Sequence, residues 1–399
     1  MGKNVVKFED VCEFYRGLTY SKKDEATFSD KIVLRASNID LDTSTLVLDD
    51  LKYLKEDFVI PNDKKLQKDC IFICMSSGSK SHLGKVAYID RDYDYAFGGF
   101  MGLIKPKTNI LPRYLFYLLQ TPEYKELIKK LSNGININNI KFSDLKEFQF
   151  ELPSLEEQGK ILNTLDKADE IRAKKKLAND KLDEFLKSTF IDMFGDVENN
   201  SNQYLLKTIK EICKVKGGKR IPKGMSYTTE KTIHPYIRVK DMRNYSVSKK
   251  ELIYLEDNVY NSIRNYTVNF GDIYMTIAGT TGIVGTIPKE LNNANLTENA
   301  VKLELLDNTY INNIYLSRYL DSKYIQKIIK SKTMSVGVPK LAIFRIEEIP
   351  VLIPPIEQQN KFAEIVEKVE QQKKKNEEVI EQMDNLFNSL SKKAFKGEL

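Results

Sequence analysis

Cysteine and histidine are scarce. The 399 residues hold four cysteines (Cys12, Cys70, Cys74 and Cys213) and two histidines. The cysteines form no CxxC pair and no small disulfide framework, and with so few histidines a zinc site is poorly supplied, so no metal is expected on this chain. Long apolar runs are missing too. No window approaches the roughly 18 uninterrupted apolar residues of a membrane span, and the opening MGKNVVKFEDVCEF lacks the apolar core of a secretory signal. The expectation is a soluble, cytoplasmic protein with no membrane partner. Neither sign of charge dominates: 62 Lys and Arg against 56 Asp and Glu leave a formal net charge of +6.

Catalytic constellations are equally hard to find. The stretch GSKSHLGK from Gly78 resembles a phosphate-binding loop, but the residues between its glycines number one too many, and Val86 stands where a Ser or Thr would hold magnesium. FGGFMG from Phe97 matches no dinucleotide fingerprint and reads as a tight turn between strands. Neither Asn-Pro-Pro-Tyr nor Asp-Pro-Pro-Tyr, the tetrapeptides of amino-methyltransferases, occurs, and IPPI at Ile353 offers an amine no polar side chain. His82 and His234 have no triad around them. A stand-alone nuclease or methyltransferase is therefore not expected.

What the chain does contain is a duplication. With 41% hydrophobic and 30% charged residues it can bury real cores, and its length suits two or three domains. LPSLEEQGKILNTLDKADEI, from Leu152, is echoed by IPPIEQQNKFAEIVEKVEQQ, from Ile353, so that Pro153 meets Pro354 at an offset of 201 residues. The same offset joins Val11-Cys12 to Ile212-Cys213, Gly17 to Gly218, Leu54 to Leu255, Gly84 to Gly285, Tyr114-Leu115 to Tyr315-Leu316, and Phe194 to Phe395. With a two-residue shift, LRASNID from Leu34 meets IRVKDMR from Ile237, and KDCIFICM from Lys68 meets GDIYMTIA from Gly271. Two copies of one unit follow, and internal repeats of this kind organise everything built on them.

Residues 1–151 and 199–351 carry short β-rich runs broken by Gly, Asn and Ser, with one helical run each, and read as α+β globular domains. Residues 152–198 and 352–399 hold long helices over 155–194 and 356–395, each starting just after a proline. At 1.5 Å per residue each helix spans roughly 60 Å, far more than one small domain needs. Heptad spacing places Ile161, Thr164, Ala168, Ile171, Lys175, Ala178, Leu182, Phe185 and Thr189 on one seam, and Phe362, Ile365, Val369, Gln372, Asn376, Val379, Met383, Leu386 and Leu390 on the other. Antiparallel pairing with opposed centres brings Lys175 near Asn376. The alternative is that each helix packs only on its own domain.

The phrases LPSLEEQGKI and IPPIEQQNKF, the paired long helices and the ending AFKGEL resemble the specificity subunit of type I restriction-modification systems, over the whole chain and in the same order of domain, helix, domain, helix. Gly159 and Asn360 depart from the pattern, standing where helix formers are expected. The resemblance implies that each domain is a target recognition domain reading one half of a bipartite duplex DNA site. It implies that the helices set the unread spacer and dock two methyltransferase subunits, that restriction subunits join through the complex, and that the chain itself is not catalytic. S-adenosylmethionine, ATP and magnesium then belong to the partner subunits, and no cofactor to this chain.

Duplex DNA demands cations for phosphates and donors and acceptors for base edges, on loops that reach a groove. Such residues cluster at matching repeat positions. One cluster is Tyr15, Arg16, Tyr20, Lys22 and Lys23 against Lys216, Lys219, Arg220, Lys223 and Tyr227, with Arg238 nearby. A second is Ser76, Ser77, Ser79, Lys80, Ser81 and His82 against Thr276, Thr280 and Thr281. A third is Asn136, Asn138, Asn139 and Lys141 against Ser335 and Lys340. On the helices, Glu156, Gln158, Ile161, Leu182 and Phe185, with Glu357, Gln359, Phe362, Met383 and Leu386, are the candidates for helix pairing and partner docking. The small net charge agrees with partners supplying part of the grip on DNA. The rival reading is a structural coiled-coil adaptor whose domains bind proteins.

Overall fold

The computed structural model describes residues 4–41, 43–79, 82–132, 139–334 and 337–394. The chain divides into two compact units, residues 1–177 with 376–399 and residues 178–375, so each unit holds one domain and half of each long helix.

Unit 1 contains β1 (Val5–Lys7), β2 (Cys12–Arg16), β3 (Glu25–Ala26), β4 (Ile32–Leu34), β5 (Lys52–Leu54), β6 (Ile71–Cys74), β7 (Val86–Tyr88), β8 (Tyr95–Phe97), β9 (Met101–Pro106) and β10 (Gln149–Glu151). An antiparallel sheet runs in the order β2-β9-β6-β7, and a mixed sheet runs β3-β5-β4-β8 with β4 and β8 parallel. The apolar runs IFIC and MGLI place β6 and β9 at the buried centre of the first sheet.

Unit 2 repeats the plan with β11 (Leu205–Thr208), β12 (Cys213–Gly217), β13 (His234–Ile237), β14 (Met242–Arg243), β15 (Ser246–Val247), β16 (Ile253–Leu255), β17 (Thr267–Val268), β18 (Ile273–Thr276), β19 (Val284–Thr286), β20 (Ala294–Leu296), β21 (Ala300–Leu305) and β22 (Pro350–Ile353). Its first sheet, β12-β21-β18-β19, matches β2-β9-β6-β7 strand for strand. The second runs β16-β13-β20-β17, with β13 and β20 parallel, like β4 and β8.

The long helices run Leu155–Phe194 and Ile356–Ala394. Both tolerate their departures, Gly159 and Asn360, within the first two turns. Ser154 caps the first: its backbone N–H and hydroxyl donate to Glu157 Oε2 at 2.9 and 2.8 Å, and Glu157 N–H donates back to Ser154 Oγ. In unit 1, Ile161, Leu165 and Phe387 join the core formed by Phe8, Ile71, Tyr114 and Leu115. In unit 2, Leu186, Phe190, Phe194 and Phe362 join Ile209, Ile273, Tyr315 and Leu316. In each unit, therefore, segments of both helices pack on the domain and on each other.

The pairing is antiparallel. In unit 2, Lys373 Nζ donates to Asp183 Oδ1 at 2.7 Å while Phe194 packs against Phe362, so eleven residues forward on one helix match eleven back on the other. The seam differs in detail from simple heptads. Ile161, Ala168, Phe362, Val369 and Asn376 are buried as expected, but Thr164 and Gln372 are exposed, and Leu186 and Phe190 take the inward places given to Phe185 and Thr189. In each unit a helix segment faces a domain as well as the other helix, which widens the buried stripe beyond two positions per heptad. Lys175 is half-exposed, and in unit 1 Arg172 meets Asp384 across the helices. That register sets Lys175 and Asn376 about five residues, or roughly 7.5 Å, out of step. Phe395 lies outside the described residues.

Candidate nucleic-acid interface

In unit 1 the basic loop that follows β2 crosses directly over the turn between β8 and β9. Gly17 allows the crossing: a Cβ there would lie 2.0 Å from the Gly98 carbonyl oxygen. Gly17 N–H donates to Met101 O and Leu18 N–H to Phe97 O. Beyond it, Ser21 N–H and Oγ both donate to Asp24 Oδ2 at 2.7 Å, fixing a short turn that leaves Lys22 and Lys23 in solvent. A cleft of about 650 Å³ opens between this loop and the segments around Arg35, Ser76 and Phe100, lined also by Tyr20, Lys22 and Ser77. Arg16 is exposed, whereas Tyr15 is half-buried and donates to Glu13, whose hydrogen bond, with burial, pushes the phenol up to about 12. Ser79, exposed, donates its N–H to Ser77 Oγ, and the half-buried His82 donates its N–H to Ser79 O. Lys141 is exposed at the start of the helix Phe142–Lys146, beside a bridge between Ser76 and Asn139. Lys80, Ser81, Asn136 and Asn138 lie outside the described residues.

Unit 2 repeats the crossing. A Cβ on Gly218 would lie 2.1 Å from the Thr297 carbonyl oxygen, and Lys219 N–H donates to Leu296 O. Lys219 and Arg220 are exposed beyond it, Lys219 Nζ standing 5.5 Å from the centre of the Tyr266 ring. Arg220 Nε donates to Glu298 Oε1 at 2.6 Å. Burial, the largest single influence, works against ionisation of Glu298, but the bond from Arg220, hydrogen bonds from its own backbone N–H and the Thr297 hydroxyl, and the charge of Arg220 together hold its carboxyl below the usual range. Lys223, Tyr227, Thr280 and Lys340 are exposed, and Thr281 shares a hydroxyl contact with Thr333. Ser335 lies outside the described residues.

Several expected contacts have internal duties instead. Arg238 donates from Nε and Nη2 to the two oxygens of the buried Asp241, both at 3.0 Å, a fork-to-carboxylate pair that occupies the guanidinium. Lys216 lies within β12 and reaches Glu304 at 2.8 Å. Thr276 is buried and accepts from Ile283 N–H. Gln158 and Gln359 are wholly buried: Oε1 accepts from Leu111 N–H or Asn312 N–H at 2.8 Å, while Nε2 donates to Asn109 O and Pro153 O, or to Tyr310 O and Pro354 O. They tie each helix start to its domain and present nothing to a partner. Glu156 and Glu357 are exposed beside them. Leu182 and Met383 are half-buried, whereas Phe185 and Leu386 stand outside the seam, 51% and 40% exposed. Phe100 and Glu298 also stand at the crossed turns, the first within the FGGF stretch, while Arg35, the match of Arg238, is likewise engaged, Nη2 donating to Asp50 Oδ2 at 2.8 Å.

Among the described residues no group of three or more His, Cys, Asp and Glu side chains is placed to hold a metal ion, and no helix is long and apolar enough to cross a membrane.

The family model described as "Type I restriction modification DNA specificity domain" matches twice, at residues 2–181 and 203–382. The Type I restriction enzyme EcoKI specificity subunit of Escherichia coli K12 is 25% identical over 98% of this chain and 87% of its own length. Among solved structures, the S subunit of a type I restriction-modification system from M. genitalium superposes with a TM-score of 0.57 at 18% identity, covering 99% of this chain and 96% of that one. A chain from a study of complex assembly and conformational transition in a type I system gives 0.54 at 16% identity, covering 100% and 98%.

Proposed function

From the chain's membership of the type I restriction-modification DNA specificity family, shown by the doubled family match, we propose that its two domains each read one half of a bipartite duplex site through the loops that cross the β8–β9 and β20–β21 turns. The chain is the non-catalytic recognition subunit that supplies sequence specificity to the complex. The observation that carries the finer reading is the paired crossing at Gly17 and Gly218, which delivers basic residues to equivalent places in two domains whose other loop residues differ. Equivalent scaffolds with different side chains suit two different short sequences.

Methyltransferase and restriction subunits are its partners. We assign two methyltransferase copies, one for each repeat-equivalent helical surface, because equivalent surfaces bind equivalent partners. S-adenosylmethionine, ATP and magnesium are assigned to those subunits, and the working compartment to the cytoplasm. The long helices set the unread spacer. The adaptor reading is not favoured by the family.

Replacing Lys219 and Arg220 with alanine tests the interface. Binding should weaken in the half-site read by unit 2 while assembly with the methyltransferase persists; equal loss of both would point to misfolding. A single unbroken footprint for the wild-type complex would refute the bipartite reading.

A further inference from the structure

The turn between β8 and β9 and its counterpart between β20 and β21 share one backbone arrangement and carry opposed chemistry. In unit 1 the turn is Gly98-Gly99-Phe100, closed by Met101 N–H to Gly98 O at 2.8 Å, with Met75 and Ser76 N–H groups both donating to Phe100 O. In unit 2 it is Thr297-Glu298-Asn299, closed by Ala300 N–H to Thr297 O at 3.2 Å, with Ile277 N–H donating to Asn299 O at 2.8 Å. Each turn is also clamped beneath its basic loop by the glycine crossing. A backbone tied at so many points holds its side chains with little freedom, as a reading surface requires.

The side chains are not those of ordinary solvated turns. Phe100 is 73% exposed at the rim of the cleft that Tyr20, Lys22, Glu25 and Arg35 also line, an apolar ring among charged groups of which Arg35 is held by Asp50 at 2.8 Å. Phosphate contact explains the cations but not the ring, whereas the thymine methyl in the major groove is an apolar target of that kind. Glu298 would repel phosphate if it stood alone. It instead accepts from Arg220 Nε, whose side chain is 77% exposed, and leaves both terminal nitrogens free of that bond. A guanidinium oriented in this way suits guanine O6 and N7.

Resting on the reading above, we propose that these paired turns are specificity-determining elements: Phe100 contacts a thymine methyl in one half-site, and Glu298 is a positioning residue that aims Arg220 at a guanine in the other. Sequences differing at the turns then read different bases without altering the scaffold.

The test uses the full chain assembled with its methyltransferase partner, comparing the methylated motif and the binding of duplexes varied one base at a time, for wild type, Phe100→Ala, Phe100→Asn, Phe100→Tyr and Glu298→Gln. The Ala and Asn variants should lose about tenfold or more discrimination at one thymine of the first half-site, with Tyr retaining most of it and the second half-site unchanged. Glu298→Gln should relax one guanine of the second half-site alone, with the salt dependence of binding unchanged because no phosphate contact is lost. Uniform weakening across all sequences, or an unaltered motif, would overturn the proposal. An unaltered but bipartite motif sinks only this inference, whereas a continuous wild-type motif sinks the reading beneath it.

Discussion

Arg172 Nε and Asp384 Oδ1 lie 2.7 Å apart, and a step of 201 residues turns this pair into Lys373 and Asp183, also 2.7 Å apart. Each long helix thus carries both a cation and an acid for the other, at equivalent places. The two pairs differ in enclosure. The Arg172 pair is close but off hydrogen-bond alignment and about a third exposed, with Nη1 bonded to Asp169 of its own helix. Lys373 is buried and aligned on Asp183, with Glu370 behind it at 3.7 Å.

Removing the buried cation should therefore cost more. Lys373→Ala leaves Asp183 without its cation, while Glu370 keeps Arg318 at 2.8 Å, and should destabilise by about 1–3 kcal/mol, below the 3–5 of a fully enclosed pair because Asp183 keeps some solvent. Arg172→Ala should cost less than about 1 kcal/mol. Urea titrations followed by far-ultraviolet circular dichroism check the order; a larger loss for Arg172→Ala would show that enclosure does not govern the pairs.

Gln158 and Gln359 make a second matched pair of devices. Each satisfies one backbone N–H and two carbonyl groups where a helix meets its domain. Alanine at either position strips those largely part-buried groups of their partner and should cost about 1–3 kcal/mol. Equal losses at the two sites, measured as shifts in the unfolding midpoint, are expected from the matched geometry. A docking role would show instead as intact stability with lost partner assembly.

The double domain, the helix spans and the antiparallel order were legible in the sequence because repetition and apolar periodicity are long-range signals. Local placement was less so. The fixed offset equates Gly84 with Gly285, but the structure matches Gly84 to Gly282: both have positive φ, and their N–H groups donate to Cys74 O and Thr276 O. Loops of unequal length shift the offset between strands. Arg238 looked like a free cation because nothing in the spacing shows that Asp241, three residues on, is buried beneath it. Phe185 looked inward because heptads describe contact with one neighbour, and these helices have two.

The four cysteines are buried, and burial pushes their thiols up, Cys70 and Cys74 to about 11 and Cys213 to about 12, with Cys12 higher still. The thiolate is the reactive form, so at pH 8 the native chain should resist alkylation and label at all four positions only in denaturant. Mass spectrometry counts the adducts; rapid native labelling would mean that the strands holding them open locally.

Phe185 and Leu386 are repeat-equivalent, apolar and exposed, while the buried neighbours Leu186 and Phe387 belong to the domain cores. The contrast separates two roles that one helix face would otherwise confuse. Leu186→Ala removes core volume and should cost about 2–5 kcal/mol of stability. Phe185→Asp and Leu386→Asp remove nothing enclosed to that degree and should shift stability by less than about 1 kcal/mol. If the exposed pair docks the two methyltransferase subunits, each aspartate should halve the methyltransferase bound at saturation, and the double variant should abolish it, as read by native mass spectrometry of the complex. Full occupancy in the double variant would move the docking surface elsewhere on the helices, and an unfolding shift as large as that of Leu186→Ala would return these residues to the core.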